Sequence, residues 1–255
     1  MTLTPVPYSE RSLPVAVPNP PHDEASLRTL ICHTGRLMHQ AHYIDGGSGH
    51  ISARLDEQRI LATPAGLAQG FLQPDQLIVI DLDGNRAGPV TDSTRTLRPT
   101  SELVAHLECY RHRPDIFGMV HAHPPTAIAL TLAGVSMRTC VLPEAVIVLG
   151  LVPTAAYCTP SSAEDRDAIR ALIAQHDAIM LACHGSLTVG PDVWQAYLKL
   201  ETLEHTAMIL HRAAQLGPIR PLPPEEVARL LDIRRQSGYW RPGDEERFCE
   251  ACGVC

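Results

Sequence analysis

PTSELVAHLECYRHRPDIFGMVHAHPPTA, residues 99–127, carries a fold signal and a chemical one. Within it Ile116–His121 has the length and apolar content of a buried strand, and the chain then runs His121-Ala122-His123-Pro124-Pro125. Side chains at i and i+2 on extended backbone point the same way, so two imidazoles leave this strand end together. Pro124 keeps His123 out of helical geometry, and Pro124-Pro125 starts the next helix. Upstream, Ser101–His112 has helical spacing, opened by the loop Pro99-Thr100-Ser101-Glu102. Helix, strand and helix thus follow one another around a pair of histidines.

Working outward, Ser26–Gln40 carries a helical stripe of Leu27, Leu30, Ile31, Leu37 and Met38 ahead of the turn Asp45-Gly46-Gly47-Ser48-Gly49. Short strands are expected at His50–Leu55, Arg59–Thr63 and Gln76–Asp81, the last ending at a hairpin signal, Asp83-Gly84. Downstream, Val146–Leu151, Val152–Tyr157, Ala178–Cys183 and Leu187–Val189 suit strands. Ala163–Gln175, Pro191–Gln215 and Pro224–Ser237 suit helices. The pattern predicts an α/β fold of three layers, α/β/α, with a central, largely antiparallel sheet covered by helices on both faces. One domain over residues 23–217 is expected, after a flexible arm at 1–22 and before a C-terminal helix and cysteine-containing tail at 218–255.

The 255 residues are 45% hydrophobic and 19% charged, with a formal net charge of -7 and scattered Lys and Arg. No clustered basic face marks a nucleic-acid partner. No apolar run reaches the roughly 18–20 residues of a membrane span, and the start lacks a charged-then-apolar leader, so a cytoplasmic protein is expected. In that setting Cys32, Cys109, Cys140, Cys158 and Cys183 are expected as buried free thiols. Cys249, Cys252 and Cys255 form C-x-x-C-x-x-C, a spacing that can hold zinc or an iron–sulfur cluster given a fourth ligand. With no evident fourth ligand, the segment is expected to be a frayed, oxidisable tail.

The strand candidate Ala178–Cys183 delivers a third histidine, His184, followed by Gly185, which allows a tight turn. A catalytic metal takes about three protein ligands and keeps a position open for substrate. His121, His123 and His184 supply that set, with Asp177 and Cys183 as weaker alternatives. Glu102 stands in a first helical turn, where it would complement the helix dipole or, facing a substrate, move a proton on and off carbon.

Five stretches in order resemble the class II aldolase/adducin family: GGSGHISARL (46–55), ILATPAG (60–66), LQPDQLIVIDLDG (72–84), the segment 99–127 and IMLACHGSLTVG (179–190). The resemblance covers about Ser26 to Leu216. It implies that His121, His123 and His184 bind one divalent metal ion per subunit, zinc first, with Mn2+, Co2+ or Fe2+ possible. It makes Glu102 the acid/base, and maps a phosphate pocket onto His50, Ala65, Gly66, Thr100 and Ser101. His50 replaces an asparagine of the family pattern, Ala65 a hydroxyl residue, and Leu142 falls near the family's proton-donating tyrosine. The implied function is cleavage of a ketose or ketose 1-phosphate by retro-aldol chemistry. The alternatives are decarboxylation of a hydroxylated aromatic or heteroaromatic acid and a non-catalytic adducin-like scaffold, against which the intact histidines and Glu102 argue. The partners expected are a small-molecule substrate and further copies of the chain. A homotetramer is implied, in which the C-terminal segment brings Tyr239 to a neighbour's metal site as the proton donor.

Overall fold

The computed structural model describes residues 23–255, so the arm expected at 1–22 lies outside the described residues. The strands β1 (His50–Arg54), β2 (Arg59–Ala62), β3 (Ile78–Asp81), β4 (Gly118–Ala122), β5 (Thr154–Ala155), β6 (Ala178–Leu181) and β7 (Gly185–Gly190) form one sheet. Its order is β3-β2-β1-β4-β7-β6-β5. Every pairing is antiparallel except β5 with β6.

Period-two alternation makes the layers. Ile60, Ile80, Met119, Ile179, Leu187 and Val189 face one side, against Leu103 and Leu107 of α2 (Leu103–His112) and Ile169 and Ile173 of α4 (Ala163–Ile173). Their neighbours Leu61, Val79 and Val120 face the other side, with Ile51. They pack on Leu27 and Ile31 of α1 (Glu24–Gln40) and Val193 and Leu200 of α5 (Val193–Leu216). Asp23 caps α1 by accepting from Ser26 N at 2.9 Å, and Asp192 caps α5 by accepting from Gln195 N at 2.7 Å. Gly118 admits the start of α5, because a Cβ there would lie 2.2 Å from Val193 N.

Four expectations need correction. Val146–Leu151 is not a strand: Ala145–Leu149 is a single π-helical turn, closed by Gly150 (φ 73), whose N–H donates to Ala145 O at 2.9 Å. A short apolar run suits a strand or a buried helical turn equally, and periodicity does not separate them. Val152–Tyr157 shrinks to the two residues of β5.

The cysteine-rich end is not frayed. After α6 (Pro224–Gln236) it forms α7 (Asp244–Cys252), which anchors Phe248 in an apolar cluster with Val146, Val227 and Leu231. Cys140 is disulfide-bonded to Cys252, and Cys249 to Cys255. Of the cysteines expected to be buried and free, Cys32 and Cys109 are; Cys158 is half-buried and Cys183 exposed. The tail is short of helix-period signal in the sequence, and its order comes from the contacts that Cys140 and Arg234 make with it.

Candidate active site

His50 on β1 lies directly across from His121 on β4, and both side chains face the α2 side of the sheet. His123 extends beyond the strand, tied down by its N–H donating to Tyr43 O at 2.7 Å. His184 sits in the three-residue turn between β6 and β7. There Cys183, not Gly185, takes the left-handed conformation (φ 58), held by its N–H on Thr131 Oγ1 at 3.0 Å. A left-handed non-glycine residue costs about 1–2 kcal/mol. Gly185 answers a different need: its missing Cβ would stand 2.4 Å from Ala122 O and 3.0 Å from His121 Cε1. Glu102 sits at the boundary of α2 and makes no capping bond to it, so its carboxylate turns to the histidines instead of serving the helix dipole.

One donor atom each from Glu102, His121, His123 and His184 lies within 4.8 Å of every other. His121 Nε2 is 3.1 Å from His123 Nε2 and 3.5 Å from Glu102 Oε2, and His184 Nε2 is 3.4 Å from Glu102 Oε1. The other nitrogen of His121, Nδ1, donates to Ser186 O at 3.0 Å, which leaves Nε2 with its lone pair directed at the cluster. Burial holds His121 well below the usual imidazole range and lowers His123 too. Hydrogen bonds from His184 and His50 hold the Glu102 carboxyl well below the usual carboxylate range. Imidazole nitrogens from three histidines converging beside a carboxylate make a donor set that fits a divalent cation.

His50 links Glu102 to two threonines. Its Nε2 is 3.0 Å from Thr100 Oγ1 and 3.3 Å from Glu102 Oε2, and its Nδ1 is 3.4 Å from Thr63 Oγ1. Thr100 is buried, whereas Ser101 and Gly66 (φ 78) are exposed. Arg54 takes no part: its guanidinium donates to Ile116 O and Tyr110 O. Asp177 is not a ligand either, because it is engaged by Lys199, Arg113 and Arg241. Cys183 is exposed and its thiol is absent from the cluster.

Within one chain Tyr239 does not reach the cluster. It lies by Lys199 (6.0 Å from Nζ to the ring centroid) in a cavity with Ile116 and Gly190. Those residues are at the end of β4 and β7 opposite to His121, since Gly118 pairs with Gly190 and His121 with Leu187. Leu142 packs with the apolar cluster of Ala145, Leu149 and Leu210.

The structure adds His106, which the sequence motifs do not single out. It is fully buried, its Nδ1 is 2.6 Å from Ser52 Oγ, and its Nε2 has no partner. Burial pushes it down to about 3, and the charges of His50 and Glu102 act on it. The signal that could find it is spacing: His106 stands four residues after Glu102, on the same helix face.

The model of the class II aldolase and adducin N-terminal domain matches residues 29–211. The chain belongs to this family. An L-fuculose phosphate aldolase of Methanococcus maripaludis is 33% identical over 174 residues, 68% of this chain and 90% of that protein. A 3-oxo-tetronate 4-phosphate decarboxylase of Haemophilus influenzae is 30% identical over 207 residues, 80% of this chain and 95% of that protein. The crystal structure of YgbL from Klebsiella pneumoniae superposes with a TM-score of 0.72 at 30% identity, covering 81% of this chain and 98% of that one. The family and the cluster make the chain a class II aldolase-type enzyme with a site suited to a divalent metal ion. Among the described residues no helix is long and apolar enough to cross a membrane.

Proposed function

We propose that this enzyme is a divalent-metal-dependent carbon–carbon lyase that decarboxylates a small phosphorylated 3-oxo sugar acid. The observation that carries the reading is the composition of the cluster: Glu102 is its one carboxylate, and Tyr239 stands at the far end of the same strands. Loss of carbon dioxide asks for one proton step, delivery to the carbon that carried the carboxylate. Retro-aldol cleavage asks for two, at atoms apart from each other. The single proton-handling carboxylate matches the first. A decarboxylase relative that aligns with 80% of the chain supports the reading, and its name moves the acid class from the aromatic acids to a phosphorylated sugar acid.

An ion held by His121, His123 and His184, zinc first and manganese, cobalt or iron(II) otherwise, would supply Lewis-acid stabilisation of the negative charge left on oxygen. Glu102 relays a solvent proton to carbon. His50 orients its carboxylate, as its approach to it at 3.3 Å indicates. Thr100, Ser101 and Gly66 form the rim for the phosphate, and His50 backs that rim through its contact with Thr100 at 3.0 Å. This imidazole stands in for the asparagine and the hydroxyl residue that the family pattern has at positions 50 and 65.

Retro-aldol cleavage of a ketose 1-phosphate is the second reading, favoured by the 33% identity to an L-fuculose phosphate aldolase. It requires a homotetramer in which Tyr239 comes from a neighbouring subunit. A panel of phosphorylated 3-oxo acids and ketose phosphates, with carbon dioxide and aldehyde followed together, decides between them. Carbon dioxide without aldehyde supports the proposal. Aldehyde release that disappears in Tyr239→Phe establishes the second reading instead.

A further inference from the structure

We propose that Cys140, Cys249, Cys252 and Cys255 form a second metal site, a four-thiolate set that takes a zinc ion or an iron–sulfur cluster. The C-x-x-C-x-x-C end supplies three sulfurs within seven residues, and such a motif lacks only its fourth ligand. The fold supplies it. Cys140 is 3% exposed and 112 residues away from Cys252 in sequence, yet their Cα atoms are 6.2 Å apart. On α7 Cys249 and Cys252 are three residues apart and share one helix face. Gly253, at φ 68, then reverses the chain so that the Cα of Cys255 comes within 4.8 Å of that of Cys249.

Two disulfides are the oxidised state of this set. Four electrons and four protons from a dithiol reductant convert them to four thiols, and binding of one zinc ion then releases four protons. Thiolates are soft ligands and select zinc or iron–sulfur centres over the hard ions that a histidine–carboxylate site also accepts. The Cys249–Cys255 bond joins residues only 6 apart in sequence, so it stabilises the fold less than a bond across a long loop does. A metal centre instead joins all four sulfurs at one point, and so pins α7 to the segment that leads through Leu142 into the π-helical turn. The surroundings suit it. Val146, Leu151, Val227, Leu231 and Phe248 pack in one apolar cluster with Cys140 and Cys252, and Arg138, paired with Glu250, lines the adjoining cavity.

The test is metal and sulfide analysis of the full chain purified anaerobically, comparing wild type with His184→Ala, Cys140→Ser and Cys255→Ser. Cys255 is exposed, whereas Cys140 is buried, so Cys255→Ser should keep the fold even where Cys140→Ser does not. The expected result is a metal fraction that survives His184→Ala and is lost in Cys255→Ser. Zinc alone identifies a tetrathiolate ion site; iron with acid-labile sulfide identifies a cluster. Cobalt substitution of the zinc form should add thiolate charge-transfer absorption that Cys255→Ser removes. The proposal is overturned if Cys255→Ser retains the same metal as wild type, or if thiol titration finds all four cysteines still disulfide-bonded in protein kept under reductant.

Discussion

Replacing Gly185 by alanine adds one methyl group where the structure has no space for it. The new Cβ would lie 2.4 Å from Ala122 O, 2.9 Å from His123 Cδ2 and 3.0 Å from His121 Cε1. Ordinary contact distances are about 3.5–4.0 Å, so the β4–β7 ladder at Ala122 O has to give way by roughly 1.1–1.6 Å and both imidazoles by roughly 0.5–1.1 Å. Overpacking of this kind costs about 1–3 kcal/mol. For a chain of this size that lowers the melting temperature by roughly 2–12 °C. Two of the three proposed metal ligands shift at once, and disturbing ligand orientation typically costs about 10- to 100-fold in affinity. Titration of the metal-free variant with zinc, alongside its thermal denaturation, reads both quantities. A variant that melts like wild type and binds zinc with unchanged affinity would refute the packing argument at this strand junction.

Three further outcomes follow from other parts of the molecule. Asp177→Asn should cost about 3–5 kcal/mol in denaturant unfolding, because it leaves Lys199 (2% exposed) without its anion; an effect below about 1 kcal/mol contradicts this. Burial lowers His176 from 6.5 to about 4, so the folded state resists its protonation while the unfolded chain accepts it. Stability should fall as pH drops from 6.5 toward 4, by up to about 3 kcal/mol, and His176→Gln should flatten that part of the melting profile. Glu102→Gln should keep its metal and lose about 100- to 10,000-fold in turnover; near-normal turnover assigns the proton to another group.

The sheet and its covering helices are legible in the sequence because hydrophobic alternation and helical stripes are strong over β1–β4 and α5, and the turn residues between them punctuate the chain. The His121–His123 pair is legible for the same reason, since strand geometry alone decides where i and i+2 point. What the sequence hides depends on groups far apart along the chain. The apolar run at 145–149 becomes a π-helical turn under α6, where Arg234 donates to Ile147 O at 2.7 Å. The tail folds as α7 because Arg234 pairs with Asp244 and Cys140 meets Cys252. In sequence Glu102 has the position of a helix-start residue, and only the tertiary structure shows its carboxylate leaving the helix for the histidines. A buried histidine on an apolar helix face differs little from a core residue, so His106 stands out only once Glu102 has been placed in the cluster.

Metal removal and restoration tests the central claim most directly, measured in a Cys255→Ser background so that thiolate-held metal stays out of the count. Chelation should abolish turnover, and one equivalent of a divalent ion per chain should restore it. The same treatment of a His121→Ala, His123→Ala, His184→Ala variant should restore neither metal nor turnover. Full activity after chelation, or one bound ion per chain in the triple variant, would contradict the account.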